Sequence, residues 1–197
     1  FLTITYTDGT KDRISLSVPT DNSCFKFERK EDGTLQVSIN PDYKTIVESI
    51  VIPSEFYGIP VTAIAQNAFE GCKYLKNVTM SSSVVSIGVG AFNSCKSLTS
   101  IEIPESVTSI GDSVFRDCSS LVNVEIPESV ISIGNYAFSG CTSLASIEIP
   151  ESVISIGSCA FHSCKSLTRV QLPSSLTKLE DDIFTSCTSL PSIALPD

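Results

Sequence analysis

The sequence predicts a right-handed α/β solenoid, because one pattern of residues recurs every 23 positions through the last three quarters of the chain. Three residue types keep this step: cysteine, phenylalanine and leucine. A repeated unit of this length can bury its apolar side only against its neighbours, so we expect the units to stack into one elongated body. The marker positions are Cys72, Cys95, Cys118, Cys141, Cys164 and Cys187; Phe69, Phe92, Phe115, Phe138, Phe161 and Phe184; and Leu75, Leu98, Leu121, Leu144, Leu167 and Leu190.

Each unit is expected to begin with a short strand. In the unit spanning residues 98–120, Ile101, Glu102 and Ile103 alternate between apolar and polar, as they would in a strand with one buried face. Pro104 ends this strand because proline has no N–H to donate to a sheet. Two of the neighbouring units depart from the pattern, at Ser81 and Glu180, and these departures affect only local geometry.

The second half of each unit is expected to contain another extended segment and then a turn of helix. Val107 and Ile110 mark the extended segment. Val114, Phe115 and Cys118 follow at a spacing that would place them on one face of a helix. The strands are therefore predicted to form one face of the solenoid and the short helices another.

The first 50 residues do not repeat and are predicted to form a β-hairpin cap (1–50) on the solenoid (51–197). Such a cap would shield a strand edge that could otherwise pair with another chain. The solenoid would hold about six and a half units, and we expect the natural protein to continue because the chain stops early in a new unit. A five-residue excess around Phe56–Pro60 is predicted to be a loop. The alternating stretches of the cap are Leu2–Tyr6, Ile14–Val18, Cys24–Phe27 and Leu35–Ile39, with Asp8-Gly9 and Asp32-Gly33 as turn signals.

Eight cysteines first suggest a disulfide framework, but their spacing argues against one. Residues that recur once per unit stack roughly 4.8 Å apart and point the same way, whereas a disulfide needs Cβ atoms at about 3.8 Å that face each other. We therefore predict a buried column of thiols that pack as small apolar groups. Cys24 and Cys159 lie off the column, and the sequence leaves open whether they are reactive or paired.

The unit, written CxxLxxIxIPxxVxxIGxxxF, resembles the BspA-like leucine-rich repeats, also called the Treponema pallidum type. The resemblance covers about residues 50–197. Residues 52–54 followed by 58–62 also look like the family's first-repeat junction, where a β-hairpin precedes the array. The resemblance implies a leucine-rich repeat solenoid in a cell-surface or secreted protein, with adhesion and protein binding as its activities. It implies no catalytic residues and no cofactor, because the family shares no catalytic motif.

The composition excludes several classes of partner. The net charge is −9, with 13 Lys and Arg against 22 Asp and Glu, so nucleic acid is not an expected partner. No run of about 18 apolar residues is present, so no membrane insertion is expected of this fragment. His162 is the one histidine and is predicted to be an exposed surface residue rather than part of a triad or metal site.

Two columns of glutamate are the candidate binding residues. They occupy the outward strand position and the position just after the proline, so stacking would place equivalent carboxylates about 5 Å apart. A site for a basic partner or for Ca²⁺ is one interpretation; a solvated face copied by duplication is the other. A retaining glycosidase also uses carboxylates at about this distance, but here every rung would offer the same pair. The columns are Glu102, Glu125 and Glu148, and Glu105, Glu128 and Glu151.

The sequence therefore favours a non-enzymatic cell-surface or secreted protein that binds a host protein, a glycan or another macromolecule. The alternative is a structural spacer of a larger surface protein, with no ligand of its own. The monotonous strand face, which repeats Ser, Asn or Arg and then Glu or Gln, favours the spacer, since a binding face is usually more varied or aromatic.

Overall fold

The computed structural model describes residues 22–176 and 179–193. These residues form a leucine-rich repeat β-solenoid of about six turns, each of about 23 residues, which confirms the predicted fold class. We call one turn of the solenoid a rung. The elements are β1 (Phe25–Arg29), β2 (Leu35–Ile39), a 3-10 helix (Pro41–Tyr43), β3 (Ser49–Val51), β4 (Glu55–Phe56), β5 (Ile59–Ile64), β6 (Asn77–Thr79), β7 (Ser86–Ile87), β8 (Ser100–Glu102), β9 (Ser109–Ile110), β10 (Asn123–Glu125), β11 (Ser132–Ile133), β12 (Ser146–Glu148), β13 (Ser155–Ile156) and β14 (Arg169–Gln171).

Each rung contributes two short strands, and equivalent strands of successive rungs run parallel. The first strands include β8 and β10, in which Ile101 is the register partner of Val124. The second strands include β9, β11 and β13, in which Ser109, Ser132 and Ser155 are partners across the three rungs. The first strand was predicted from the alternation of apolar and polar residues, and the second from the extended segment marked by Val107 and Ile110.

The prediction of a helical turn in each rung is wrong. Residues 112–117 form turns, and the described residues contain no α-helix. Ser113 and Asp117 have φ values of 56° and 57°, and a right-handed helix cannot pass through such left-handed residues. The N–H groups of Ser113, Phe115 and Asp117 donate to carbonyl oxygens of the following rung instead, at N···O distances of 2.7–2.9 Å. The turns are thus bonded between rungs, whereas a helix would be bonded within itself.

Three donors of this kind recur in each of five successive pairs of rungs, beginning with Asn67, Phe69 and Gly71 and ending with Cys159, Phe161 and Ser163. All of them donate toward the C-terminal side. The left-handed positions of these turns hold glycine, Asn and Asp, which tolerate that conformation well, but also several serines, Tyr136 and Cys159. The recurring hydrogen bonds to the following rung hold these other residues in it.

The core consists of stacked columns. Phenylalanine rings from Phe69 to Phe184 follow one another at centroid separations of 5.3–5.7 Å, and those from Phe69 to Phe161 are fully buried. The six cysteines of the 23-residue step are buried and free, which confirms the thiol column. Each thiol from Cys95 onward also donates to the carbonyl oxygen of the phenylalanine in the preceding rung, at 3.1–3.2 Å. Cysteine therefore supplies both a small apolar volume and a weak donor at this position.

The cap lies on the first rung. β1 and β2 form an antiparallel hairpin, β2 pairs in parallel with β5, and the ring of Phe25 meets that of Phe69 edge-on at 6.4 Å. The stretches Cys24–Phe27 and Leu35–Ile39 are thus correctly placed in strands. Leu2–Tyr6, Ile14–Val18 and the Asp8-Gly9 turn lie outside the described residues. The division at residue 50 stays a prediction, and β3 spans it.

The predicted loop at residues 56–60 is a hairpin. β4 and β5 pair antiparallel, and Tyr57 and Gly58 make the turn with φ values of 51° and 75°. The hairpin agrees with the junction that the family resemblance implied.

Candidate functional site

The predicted glutamates line a groove of about 590 Å³ on the outside of the solenoid. The groove follows the first strands of three successive rungs and the turns after them. Its lining includes five of the six predicted carboxylates and the prolines that end the strands. The five are Glu102, Glu105, Glu125, Glu128 and Glu148.

Strand alternation turns the first glutamate column outward. Ile101 and Ile103 point into the core, so Glu102 between them faces solvent. Glu102 and Glu125 are register partners across β8 and β10. At the far end of the groove Glu148 is the partner of Gln171, so the column of charge ends there.

A serine anchors the second column. The hydroxyl of Ser129, which follows Glu128, donates to the carbonyl oxygen of Val107 in the preceding rung at 2.7 Å. The equivalent serines do the same, so the chain next to each glutamate of this column is held in place.

Glu151 behaves differently from the other five. One of its carboxylate oxygens accepts hydrogen bonds from the backbone N–H and the hydroxyl of Ser174, at 2.9 and 2.8 Å. It does not line the groove. Glu151 therefore fixes the following turn, and the groove is built from the remaining five carboxylates.

Among the described residues, no lysine or arginine forms an ion pair with a glutamate of this groove. The ion pairs among these residues lie elsewhere, at Lys30–Asp32, Lys76–Glu48 and Arg116–Asp117. Five carboxylates on three rungs, in a chain of net charge −9, give this face a strongly negative potential.

The geometry gives no support to the calcium alternative. Among the described residues, no group of three or more His, Cys, Asp or Glu side chains is placed to hold a metal ion.

His162 is half-buried, whereas the sequence predicted an exposed side chain. It lies in a turn that is stacked between the turns of the neighbouring rungs.

An aromatic cluster on the cap was missed by the sequence reasoning. The ring of Phe27 in β1 stacks on that of Phe56 in β4 at 4.1 Å, and Tyr57 meets Phe56 edge-on at 4.4 Å. Tyr57 is 89% exposed at the hairpin tip. The three rings lie outside the 23-residue step, so the repeat gives no sign that they meet. The one signal in the sequence is the pair Tyr57-Gly58, which is typical of a hairpin turn.

The described part of the chain contains no helix with the length and hydropathy that a membrane crossing requires. Stacked parallel strands, inter-rung turns and an outer groove define a leucine-rich repeat solenoid protein. The family description "BspA type Leucine rich repeat region" matches in six copies over residues 42–141 and 108–197. This chain belongs to that family.

Solved structures agree with this assignment. A leucine-rich repeat protein of T. pallidum, TpLRR, is 35% identical over 87% of this chain and 79% of its own, with a TM-score of 0.81. A leucine-rich repeat protein from Bacteroides ovatus is also 35% identical over 87% of this chain, with a TM-score of 0.79, and this chain spans 46% of that protein. A leucine rich cell surface protein from Faecalibacterium prausnitzii is 21% identical with a TM-score of 0.36, which is too distant to support an argument. No curated protein matches.

Proposed function

We propose that this chain is a non-enzymatic cell-surface or secreted protein that binds a basic segment of another protein in its acidic groove. The observation that carries the proposal is the collection of Glu102, Glu105, Glu125, Glu128 and Glu148 in one groove without a pairing cation among the described residues. The surface location is what the likeness to the BspA-type family implies, and it stays part of the proposal.

The chemistry of the groove favours a protein over a glycan. Its carboxylates repel acidic glycans, and the described lining holds no aromatic ring on which a neutral sugar could stack. Lysine and arginine side chains suit it better, because carboxylates at a spacing of roughly 4.8 Å can receive several cationic groups at once. Exposed charge pairs of this kind are individually weak, so binding would depend on their number and on salt.

The proposal is tested with a fluorescent oligo-lysine peptide, whose anisotropy reports binding at low and physiological salt. The triple variant Glu102→Gln, Glu125→Gln and Glu148→Gln should weaken binding at least tenfold at low salt. Glutamine keeps the size and the outward direction of each side chain, so the change removes charge alone.

A matched control removes the same amount of charge from the cap and from the hairpin that follows it. Glu31→Gln, Asp42→Asn and Glu55→Gln alter three exposed carboxylates outside the groove. If binding depends on the groove, the control should bind nearly as well as the unaltered chain. Equal losses in the two triple variants, or no loss in the groove variant, would exclude the groove as the binding site.

The spacer alternative is favoured by a different observation. Every described rung is bonded to the next through its turns, and the phenylalanine column runs unbroken from Phe69 to Phe184. Such a body would hold whatever is attached at its two ends at a fixed distance. On this alternative, deleting one whole unit, residues 121–143, would change the reach of an attached domain, whereas neutralising the glutamates would change no interaction. Loss of partner binding in the glutamate variant would contradict it.

A further inference from the structure

The hairpin formed by β4 and the start of β5 carries the most exposed aromatic side chain of the described residues. We call this segment, residues 55–60, the aromatic hairpin. Tyr57 stands at its tip, edge-on to Phe56, and Phe56 stacks on Phe27 of the cap. Phe27 and Phe56 are partly buried and pack against the core. The exposed ring is therefore supported by two rings that the fold holds in place.

Folding alone does not explain a tyrosine at this turn. Tyr57 and Gly58 both have positive φ, as in a type I′ turn, which favours Asn, Asp or Gly at its two central positions. A large side chain is unfavourable in the left-handed conformation, and the Tyr57 ring is too exposed to gain much from burial in return. An unfavourable backbone position that carries an exposed ring points to a bound partner.

The register of the first strands places the aromatic hairpin in line with the second glutamate column. Val51 in β3 is the partner of Thr79 in β6, and Glu102 follows Thr79 by one step of 23 residues. Glu105 comes three residues after Glu102, and the hairpin begins at Glu55, four residues after Val51. The hairpin thus leaves the solenoid two rungs before Glu105. At roughly 4.8 Å for each rung, the separation along the axis is roughly 10 Å.

An arginine side chain suits a ring in these surroundings. A guanidinium group stacks on the face of a tyrosine ring and is attracted by the negative charge of that face. The chain contains one such contact of its own, since the guanidinium carbon of Arg116 lies 5.4 Å from the centre of the Tyr136 ring. The net charge of −9 and the neighbouring acidic groove attract the same cation. A neutral sugar, which also stacks on exposed rings, gains nothing from that charge.

We propose that the ring of Tyr57 binds an arginine of the same basic segment that the acidic groove is proposed to hold. The segment lies along the solenoid axis, with its lysines beside Glu105 and the rungs that follow and its arginine on the aromatic hairpin. An extended chain advances about 3.3 Å for each residue, so the arginine stands about three residues from the nearest of these lysines. This inference rests on the function proposed for the groove, and it adds a feature by which one basic segment is preferred over another.

Two fluorescent peptides test the contact through their anisotropy at low salt. The first contains four lysines, two glycines and a terminal arginine, and the second has glycine in place of the arginine. Both are made in forward and reverse order, because the groove does not fix the direction of the segment. Tyr57→Asn removes the ring and supplies a residue that the turn favours, so the fold is kept.

Tyr57→Asn should weaken binding of the arginine peptide about two- to fivefold in at least one order, which is the range of an exposed cation–π contact. It should leave the glycine peptide unchanged. Tyr57→Phe is the matched control, because it keeps the ring at the same backbone position and removes only the hydroxyl. This control should bind both peptides as the unaltered chain does, and thermal unfolding verifies that both variants are folded.

The triple glutamine variant of the groove separates a failure of this inference from a failure of the proposed function. If that variant loses binding but Tyr57→Asn and Tyr57→Phe bind the arginine peptide equally, the hairpin is not part of the site and the groove still is. Equal weakening of both peptides by Tyr57→Asn also overturns the inference, as does displacement of the arginine peptide by lactose, which would assign the ring to a sugar. If the triple variant keeps full affinity for both peptides, both proposals fall.

Discussion

The interior and exterior columns of the solenoid are built on the same rungs but obey different constraints. Inside, phenylalanine, cysteine and leucine recur unchanged, because each phenylalanine ring stacks on its own copies and each thiol fits against the phenylalanine carbonyl of the preceding rung. Outside, one strand position changes from Val51 and Thr79 through the glutamates to Gln171. An interior side chain must fit two identical neighbours, whereas an exterior one must only remain compatible with water. The position in the cross-section therefore decides how far a residue can vary.

Truncating an interior ring should break the solenoid most severely. Phe138→Ala opens a cavity between two stacked rings at 5.3 Å and should lower the free energy of unfolding by about 3–5 kcal/mol. Ile131→Ala on the exterior of the same rung should cost less than about 1 kcal/mol. Urea unfolding of dilute samples checks both values. Similar losses for the two variants would contradict the distinction between the columns.

A close approach of backbones should make one glycine far more sensitive than its copy. A Cβ on Gly134 would lie 2.6 Å from the backbone nitrogen of Asp112, whereas a Cβ on Gly111 would lie 3.7 Å from its nearest neighbour. Gly134→Ala should therefore cost about 1–3 kcal/mol. Gly111→Ala should be neutral or stabilising by about 0.4–1 kcal/mol. Thermal unfolding of the two variants side by side measures this difference, and a stable Gly134→Ala protein would mean that the rungs can separate freely.

Alkaline pH should lower the free energy of unfolding through the buried thiols of the core. Burial raises the pKa of the Cys72 thiol from 9.0 to about 11 and that of Cys118 to about 12. Because the unfolded thiols ionise from pH 9 upward and the folded ones do not, stability is fully present below pH 9 and falls as the pH rises. At pH 10 the loss is up to about 1.4 kcal/mol for each such thiol. Unfolding free energies at pH 8 and pH 10 measure the decline, which should be shallower in Cys118→Ala; an identical decline would show that other groups cause it.

Removing a serine anchor should have the smallest effect. Ser129→Ala deletes the hydrogen bond to the carbonyl oxygen of Val107 and should cost about 1 kcal/mol. Ser132 makes no side-chain hydrogen bond within the described residues, so Ser132→Ala should change stability by less than about 0.5 kcal/mol. Denaturant midpoints at low protein concentration distinguish the two. A cost for Ser132→Ala as large as that for Ser129→Ala would show that the hydrogen bond to Val107 does not cause the loss.

The columns and the strands could be predicted from the sequence, because a step of 23 residues and an alternation of two are both visible in the letters. The turns could not. Val114, Phe115 and Cys118 have helical spacing, but the left-handed backbone at Ser113 and Asp117 leaves no trace in hydrophobic periodicity. The helix prediction failed for that reason.

The glutamates of the groove could be predicted to face outward, since they alternate with buried isoleucines. The separate role of Glu151 could not, because it depends on the conformation of the turn at Ser174 in the next rung. The exposure of Ile131 and Ile154 was missed because both look like core residues in a pattern of alternating apolar and polar positions. Their exposure follows from the three-dimensional path of the turn before the second strand.

The hydrogen bonds between rungs run in two directions, so the solenoid differs electrically from an α-helix. In the turns, three N–H groups in each of five successive pairs of rungs donate toward the C-terminal side. Elsewhere in the same rungs, N–H groups such as those of Val122, Ile131 and Gly134 donate to the preceding rung. The peptide dipoles of the two sets oppose each other along the axis, whereas those of an α-helix add. The ends of the solenoid therefore do not carry the partial charges that attract ions to the ends of a helix.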